Sequence, residues 1–116
     1  MTTKEMAVKI CEALSDKKGR DVLMLAVEHM TIIADYFVIA SGNSVPQVQA
    51  LSDAVEECAQ EMGLSPRRSA GYREGRWVIQ DFGDVVVHIF HQQEREFYDL
   101  ERLWTDGDNA TWFNED

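Results

Sequence analysis

Arg76-Trp77-Val78-Ile79-Gln80-Asp81-Phe82-Gly83-Asp84-Val85-Val86-Val87-His88-Ile89-Phe90-His91 is the stretch whose reading settles the fold. Two runs rich in β-branched and aromatic residues flank Gly83-Asp84. A glycine-containing two-residue connection between such runs marks a tight antiparallel hairpin. Strand side chains alternate, so Trp77, Ile79 and Asp81 share one face of residues 76–82, and Arg76, Val78, Gln80 and Phe82 share the other. On the returning strand, residues 85–91, Val86, His88 and Phe90 oppose Val85, Val87 and Ile89. A tryptophan and a carboxylate on one face sit badly in a sealed core, because an unpaired buried carboxylate is costly. They suit an interface, where aromatic anchors are ringed by polar groups. The plainer alternative is that Trp77 fills a gap and Asp81 shapes the turn. Alternation alone does not separate the two.

Upstream of the hairpin, residues 22–27 and 36–40 are short, nearly continuous apolar runs, the signature of strands buried on both faces of a sheet. Residues 2–18 read as a helix. Thr2 and Glu5 have capping-box spacing, Met6, Ile10, Ala13 and Leu14 recur at helical period, and Gly19 is expected to supply the left-handed stop. After the turn Ser41-Gly42-Asn43-Ser44 a second helix opens, capped by Ser44 with Gln47 reaching back. It runs through Val48, Leu51, Val55, Cys58, Ala59 and Met62 to Gly63. Residues 66–70 are a candidate edge strand because of Pro66. Downstream, residues 92–104 return to helical spacing through Phe97, Leu100, Leu103 and Trp104, and residues 105–116 read as a polar, acidic, loosely ordered tail. The expected architecture is α+β (mixed α/β): one domain over residues 1–104, about five strands in a mixed sheet, and helices on one face. The other face is then only partly covered and is open to a partner.

Composition limits what that partner is. The chain has 116 residues, 11 Lys plus Arg and 21 Asp plus Glu, a formal net charge of −10. Nucleic-acid binding rests on clustered basic residues, so direct DNA or RNA binding is disfavoured and a basic protein surface is the better complement. Residues 92–116 concentrate the imbalance, with eight acids against Arg95 and Arg102. No apolar window is long enough for a membrane helix and the opening residues lack a secretory-signal pattern. With only Cys11 and Cys58, both on helical apolar stripes, the expectation is a reducing, cytoplasmic compartment and packed thiols.

The chemical constellations are weak. Nucleotidyl transfer needs adjacent metal-holding carboxylates and a phosphate-cradling turn. Residues 41–44 offer the turn, but Asp81 and Asp84 are three apart across a hairpin, and the one Asp-x-Asp, Asp106 and Asp108, lies in the tail. Capping is the better reading of the turn. His88 and His91, three apart on a strand, point to opposite faces, and neither cysteine has a nucleophile's context. No catalytic, metal or cofactor residue is assigned.

Two blocks carry a resemblance: residues 34–44, Ala-Asp-Tyr-Phe-Val-Ile-Ala-Ser-Gly-Asn-Ser, and residues 75–90. Arg95 with Phe97-Tyr98-Asp99-Leu100-Glu101-Arg102-Leu103-Trp104 completes it. The sequence resembles the ribosomal silencing factor family, RsfS, also called Iojap or YbeB; the last twelve residues fall outside the likeness. The resemblance implies a nucleotidyltransferase-like core without a working active site and a non-enzymatic role. Members bind the large ribosomal subunit through ribosomal protein fourteen and sterically block joining of the small subunit. That represses translation under nutrient limitation and in stationary phase, without a cofactor. It also implies homodimers as a possible state. The expected docking surface is Trp77, Asp81, His88 and Tyr98, supported by Ile79 and Phe90, with Asp35 and Glu101 as secondary candidates. The rival readings are a large-subunit assembly factor and a nucleotide-binding or nucleotidyl-transferring enzyme.

Overall fold

The computed structural model describes residues 1–113. In chain order the elements are α1 (Thr3–Asp16), β1 (Arg20–Ala26), β2 (Tyr36–Gly42), α2 (Val45–Glu61), β3 (Arg68–Ala70), β4 (Trp77–Asp81), β5 (Val85–His91), α3 (Gln92–Tyr98), α4 (Leu100–Trp104) and β6 (Ala110–Trp112). The strands form one mixed sheet in the order β3-β4-β5-β2-β1-β6. Only β2 and β5 run parallel, joined through α2 and the β3–β4 excursion.

Helices α1 and α2 cover one face. Ile10, Cys11 and Leu14 of α1, with Val48, Leu51 and Val55 of α2, close over Val22, Val38, Val78, Val87 and Ile89 from the strands. Both helix starts follow their sequence signals. Thr2 and Glu5 cap each other reciprocally, and the Ser44 hydroxyl accepts from the Gln47 amide. The end of α1 departs from expectation. Lys18, not Gly19, takes the left-handed conformation (φ 66°), while Gly19 is required for space, since a Cβ there would stand 2.9 Å from the Leu14 carbonyl oxygen.

Three further expectations are corrected. The sheet has six strands, not about five. The sixth comes from the segment read as a loose tail: β6 pairs antiparallel with β1, with Leu23 opposite Trp112 and Leu25 opposite Ala110. Asn109 anchors it by donating to the carbonyls of Ala26 and Trp104, each at 2.8 Å. Polar composition misleads here because an edge strand needs backbone partners, not apolar side chains. Of the acidic tail residues, Glu115 and Asp116 lie outside the described residues.

The last helix is also two helices, broken where Asp99 adopts φ 48°, ψ 50°. The break turns Leu100 and Trp104, one helical turn apart, onto the second sheet face and leaves Phe97 and Leu103 exposed. The inward position of α3 goes to Arg95, 5% exposed. Its guanidinium bonds Glu101 at 3.0 Å, the Ser41 hydroxyl and the Arg20 carbonyl, tying α3, α4, β1 and β2 together. Helical periodicity counts arginine as solvent-facing, so it could not place this residue. Consequently the helices are not confined to one face: five-residue α4 covers part of the second. Among the described residues, no helix is long and apolar enough to cross a membrane.

Candidate partner-docking face

The second sheet face carries its own apolar cluster, built on Leu23, Leu25, Phe37, Ile39, Val86 and Phe90. Register assembles the candidate residues on it. In the β4–β5 ladder Trp77 stands opposite Phe90, Ile79 opposite His88 and Asp81 opposite Val86, so alternation brings all six to the same face. Because α4 reaches only the Phe37 side, where Trp104 packs edge-on at 5.0 Å, the β4 side stays partly open.

Four rings occupy this open area. Trp77 stacks at 4.8 Å on Phe90 and at 4.8 Å on Tyr98, which arrives from the end of α3. His88 lies 5.3 Å from Phe37, edge to face, and its Nδ1 accepts a 3.2 Å hydrogen bond from the Trp77 indole N–H. The acceptor role fixes the tautomer: the imidazole proton sits on Nε2. That atom is buried and has no hydrogen-bond partner among the described residues. With His88 only 8% exposed, burial drives its pKa down from 6.5 to about 4, so the ring is neutral at physiological pH.

The candidates thus divide by depth. Phe90 is fully buried and His88 nearly so, forming the floor; Trp77, Ile79 and Asp81 are half-buried; Tyr98 is exposed at the rim. Asp81 has a turn-shaping role as well, since its Oδ1 accepts from the Gly83 amide at 2.8 Å. Its other oxygen meets the exposed Arg68 at 3.7 Å. Of the secondary candidates, Glu101 is committed to the fold through Arg95. Asp35 lies at the start of β2, where its backbone bonds Val27 and Asp84.

Pattern reading missed one part of this face. In the β1–β2 connection Ile32 is fully exposed, and Ile33, largely exposed, stands beside the open sheet. Ile33 and edge strand β3 flank a groove of about 360 Å³ floored by Phe37, Ile79, Val86 and His88. Two adjacent isoleucines in a connecting loop were the available signal.

In the turn at residues 41–44 the Gln47 side chain accepts from the Asn43 amide at 2.7 Å and stands 3.2 Å from where a Cβ on Gly42 would fall. Among the described residues no three His, Cys, Asp or Glu side chains converge as a metal cluster. Cys11 is buried and Cys58 partly so, and burial pushes both thiols upward, away from nucleophilic character.

Comparison with known proteins gives a consistent result. A family profile described as "Ribosomal silencing factor during starvation" (RsfS) matches residues 1–115, running through the segment that the resemblance above leaves out. The chain is 44% identical over 106 residues to the ribosomal silencing factor RsfS of Halalkalibacterium halodurans, covering 91% of each chain. It is 43% identical to that of Bacillus subtilis, over 91% of this chain and 90% of the relative. A crystal structure of a Chromobacterium violaceum protein superposes with a TM-score of 0.88 at 35% identity, over 99% of this chain and 95% of that one.

Proposed function

This chain belongs to the ribosomal silencing factor (RsfS) family, and we propose that it represses translation by occupying the large ribosomal subunit. In this reading it docks on ribosomal protein fourteen and stands where the small subunit must approach. It works in the cytoplasm, by steric exclusion, without chemistry. The observation that supports the docking most directly is the half-covered sheet face. There a tryptophan stacked on Phe90 and Tyr98 lies on the same strand face as a carboxylate, in a protein of net charge −10. Aromatic surface supplies buried contact area, and Asp81 offers a pairing group to a lysine or arginine of a basic protein. The acidic exterior beyond the contact repels the RNA of an incoming small subunit.

The test uses purified protein mixed with separated subunits, with 70S formation followed on a gradient at several salt concentrations. The expected result is inhibition that requires large-subunit binding and weakens as salt screens the charge attraction. Inhibition that persists with large subunits stripped of protein fourteen contradicts the dock.

A further inference from the structure

Two segments of this fold bury little of themselves and hold each other in place. The first is β6, three exposed residues on the outer edge of the sheet, entered through the turn at residues 105–109. Its ladder with β1 is short, and Phe113, just beyond it, packs partly against the helix-covered core. The second is the β1–β2 connection, where only Val27 and Ala34 are buried among residues 27–34. Its own backbone bonds are local: the Met30 and Thr31 amides donate to the Val27 carbonyl, and the Val27 amide donates to that of Asp35.

Side chains more than seventy residues apart join the two. Asn109 Nδ2 donates to the Ala26 carbonyl at 2.8 Å and reaches the Met30 sulfur at 3.8 Å, while the Ala26 amide donates to the Asn109 carbonyl at 3.0 Å. One oxygen of Asp106 accepts from the Asp108 and Asn109 amides, which folds the turn. Its other oxygen meets His29 Nε2 at 2.7 Å. A single carboxylate thus shapes the turn and grips the connection. Segments with little buried apolar surface open at lower free energy than the core, and these two share the bonds that keep them closed. We propose that residues 105–112 and residues 27–31 form one clasp, which opens and closes as a unit while the rest of the sheet stays folded. Closed, it fixes the connection that carries Ile32 and Ile33, so the C-terminal segment sets the position of one wall of the second sheet face. The clasp is a device of the fold itself and stands or falls independently of the ribosomal reading.

The test is native-state hydrogen exchange on the full chain in low urea, resolved amide by amide by NMR. The amides of Ala26, Met30, Thr31 and Phe113 are expected to share one opening equilibrium, more populated than the opening that exposes β2 and β5. His29→Ala removes one exposed pair and should speed exchange about threefold at all four amides. Asp106→Ala also strips two turn amides of their acceptor and should speed it about tenfold. Both side chains lie at the surface, so the variants keep the fold, and amides of the β2–β5 ladder should keep their wild-type rates. Unchanged exchange at Ala26 and Phe113 in His29→Ala, whatever happens at Met30 and Thr31, overturns the clasp. So does wild-type exchange at Ala26 and Phe113 that proceeds only through the opening of β2 and β5.

Discussion

Acid should unfold this protein through one histidine. His88 is held neutral by burial, its pKa driven from 6.5 to about 4. As pH falls, the unfolded chain takes up a proton near 6.5, whereas the folded chain refuses it until about 4. The stability tied to this group is therefore complete above pH 6.5 and is lost as pH falls toward 4. At 1.36 kcal/mol per pH unit, the two values imply about 3 kcal/mol in full, of which about 2.5 kcal/mol is gone by pH 4.5. The ring is more than nine-tenths buried, so solvent screening does not erode the figure. Asp81 and Arg68 line the same groove, so the comparison must be differential. His88→Phe removes the titration and keeps an aromatic ring against Phe37, while stranding the Trp77 indole N–H at a cost of about 1 kcal/mol near pH 7. Urea unfolding of both proteins between pH 7 and pH 4.5, followed by far-UV circular dichroism, should show the wild type ahead at neutral pH and the variant ahead in acid. Stability curves that run parallel across this range would refute the assignment of a buried, neutral His88.

Three further outcomes follow from the same contacts. Trp77→Ala loses the stacking on Phe90 and Tyr98 but not a fully buried side chain, so it should cost about 2 kcal/mol in urea unfolding. The folded variant should also pellet with large subunits at least tenfold more weakly; wild-type pelleting removes Trp77 from the docking face. Lys18→Gly should stabilise the protein by about 1 kcal/mol, seen as a higher urea midpoint at unchanged slope, because a left-handed backbone strains any residue with a Cβ. Asn109→Ala removes two 2.8 Å bonds that hold β6 against β1, and should cost about 2 kcal/mol, with faster hydrogen exchange concentrated at the β1–β6 ladder.

The elements most legible in sequence are those whose local signals agree with their tertiary role. The capping box at Thr2, the Ser44 cap and the hairpin at Gly83-Asp84 state their structure within a few residues. Alternation grouped Trp77, Ile79 and Asp81 on β4 and His88 with Phe90 on β5 because both strands obey a strict period of two, and the ladder register joins the two sets on one face. The failures share a different cause: each depends on an interaction with something distant in the chain. β6 forms because β1, more than eighty residues earlier, offers an unpaired edge. The break at Asp99 accompanies Arg95 turning inward to reach Ser41 and Arg20, an arrangement that hydrophobic spacing scores backwards. Ile33 was passed over because loops are read for turn chemistry, and its place beside the groove appears only once β3 closes the opposite side.

The location of the candidate site follows from how little chain is left to cover the sheet. Two helices of 14 and 17 residues seal one face, but the other receives the five-residue α4, anchored at Phe37 by Trp104, and the Tyr98 ring from the end of α3. Most of this face is buried, but its β4 side, at Trp77, Ile79 and Asp81, is only half-covered and leaves apolar area that water penalises. The side chains here moderate that penalty in a graded way. Fully apolar Phe90 lies deepest; the Trp77 indole N–H is satisfied by His88 Nδ1; Asp81 marks the hairpin end of the strand with a charge. In the proposed docking such a surface loses little side-chain freedom, since its contact area is already ordered by stacking. A roof of ordinary length over this face would have stabilised the monomer further, and it would also have hidden the surface on which the proposed silencing depends.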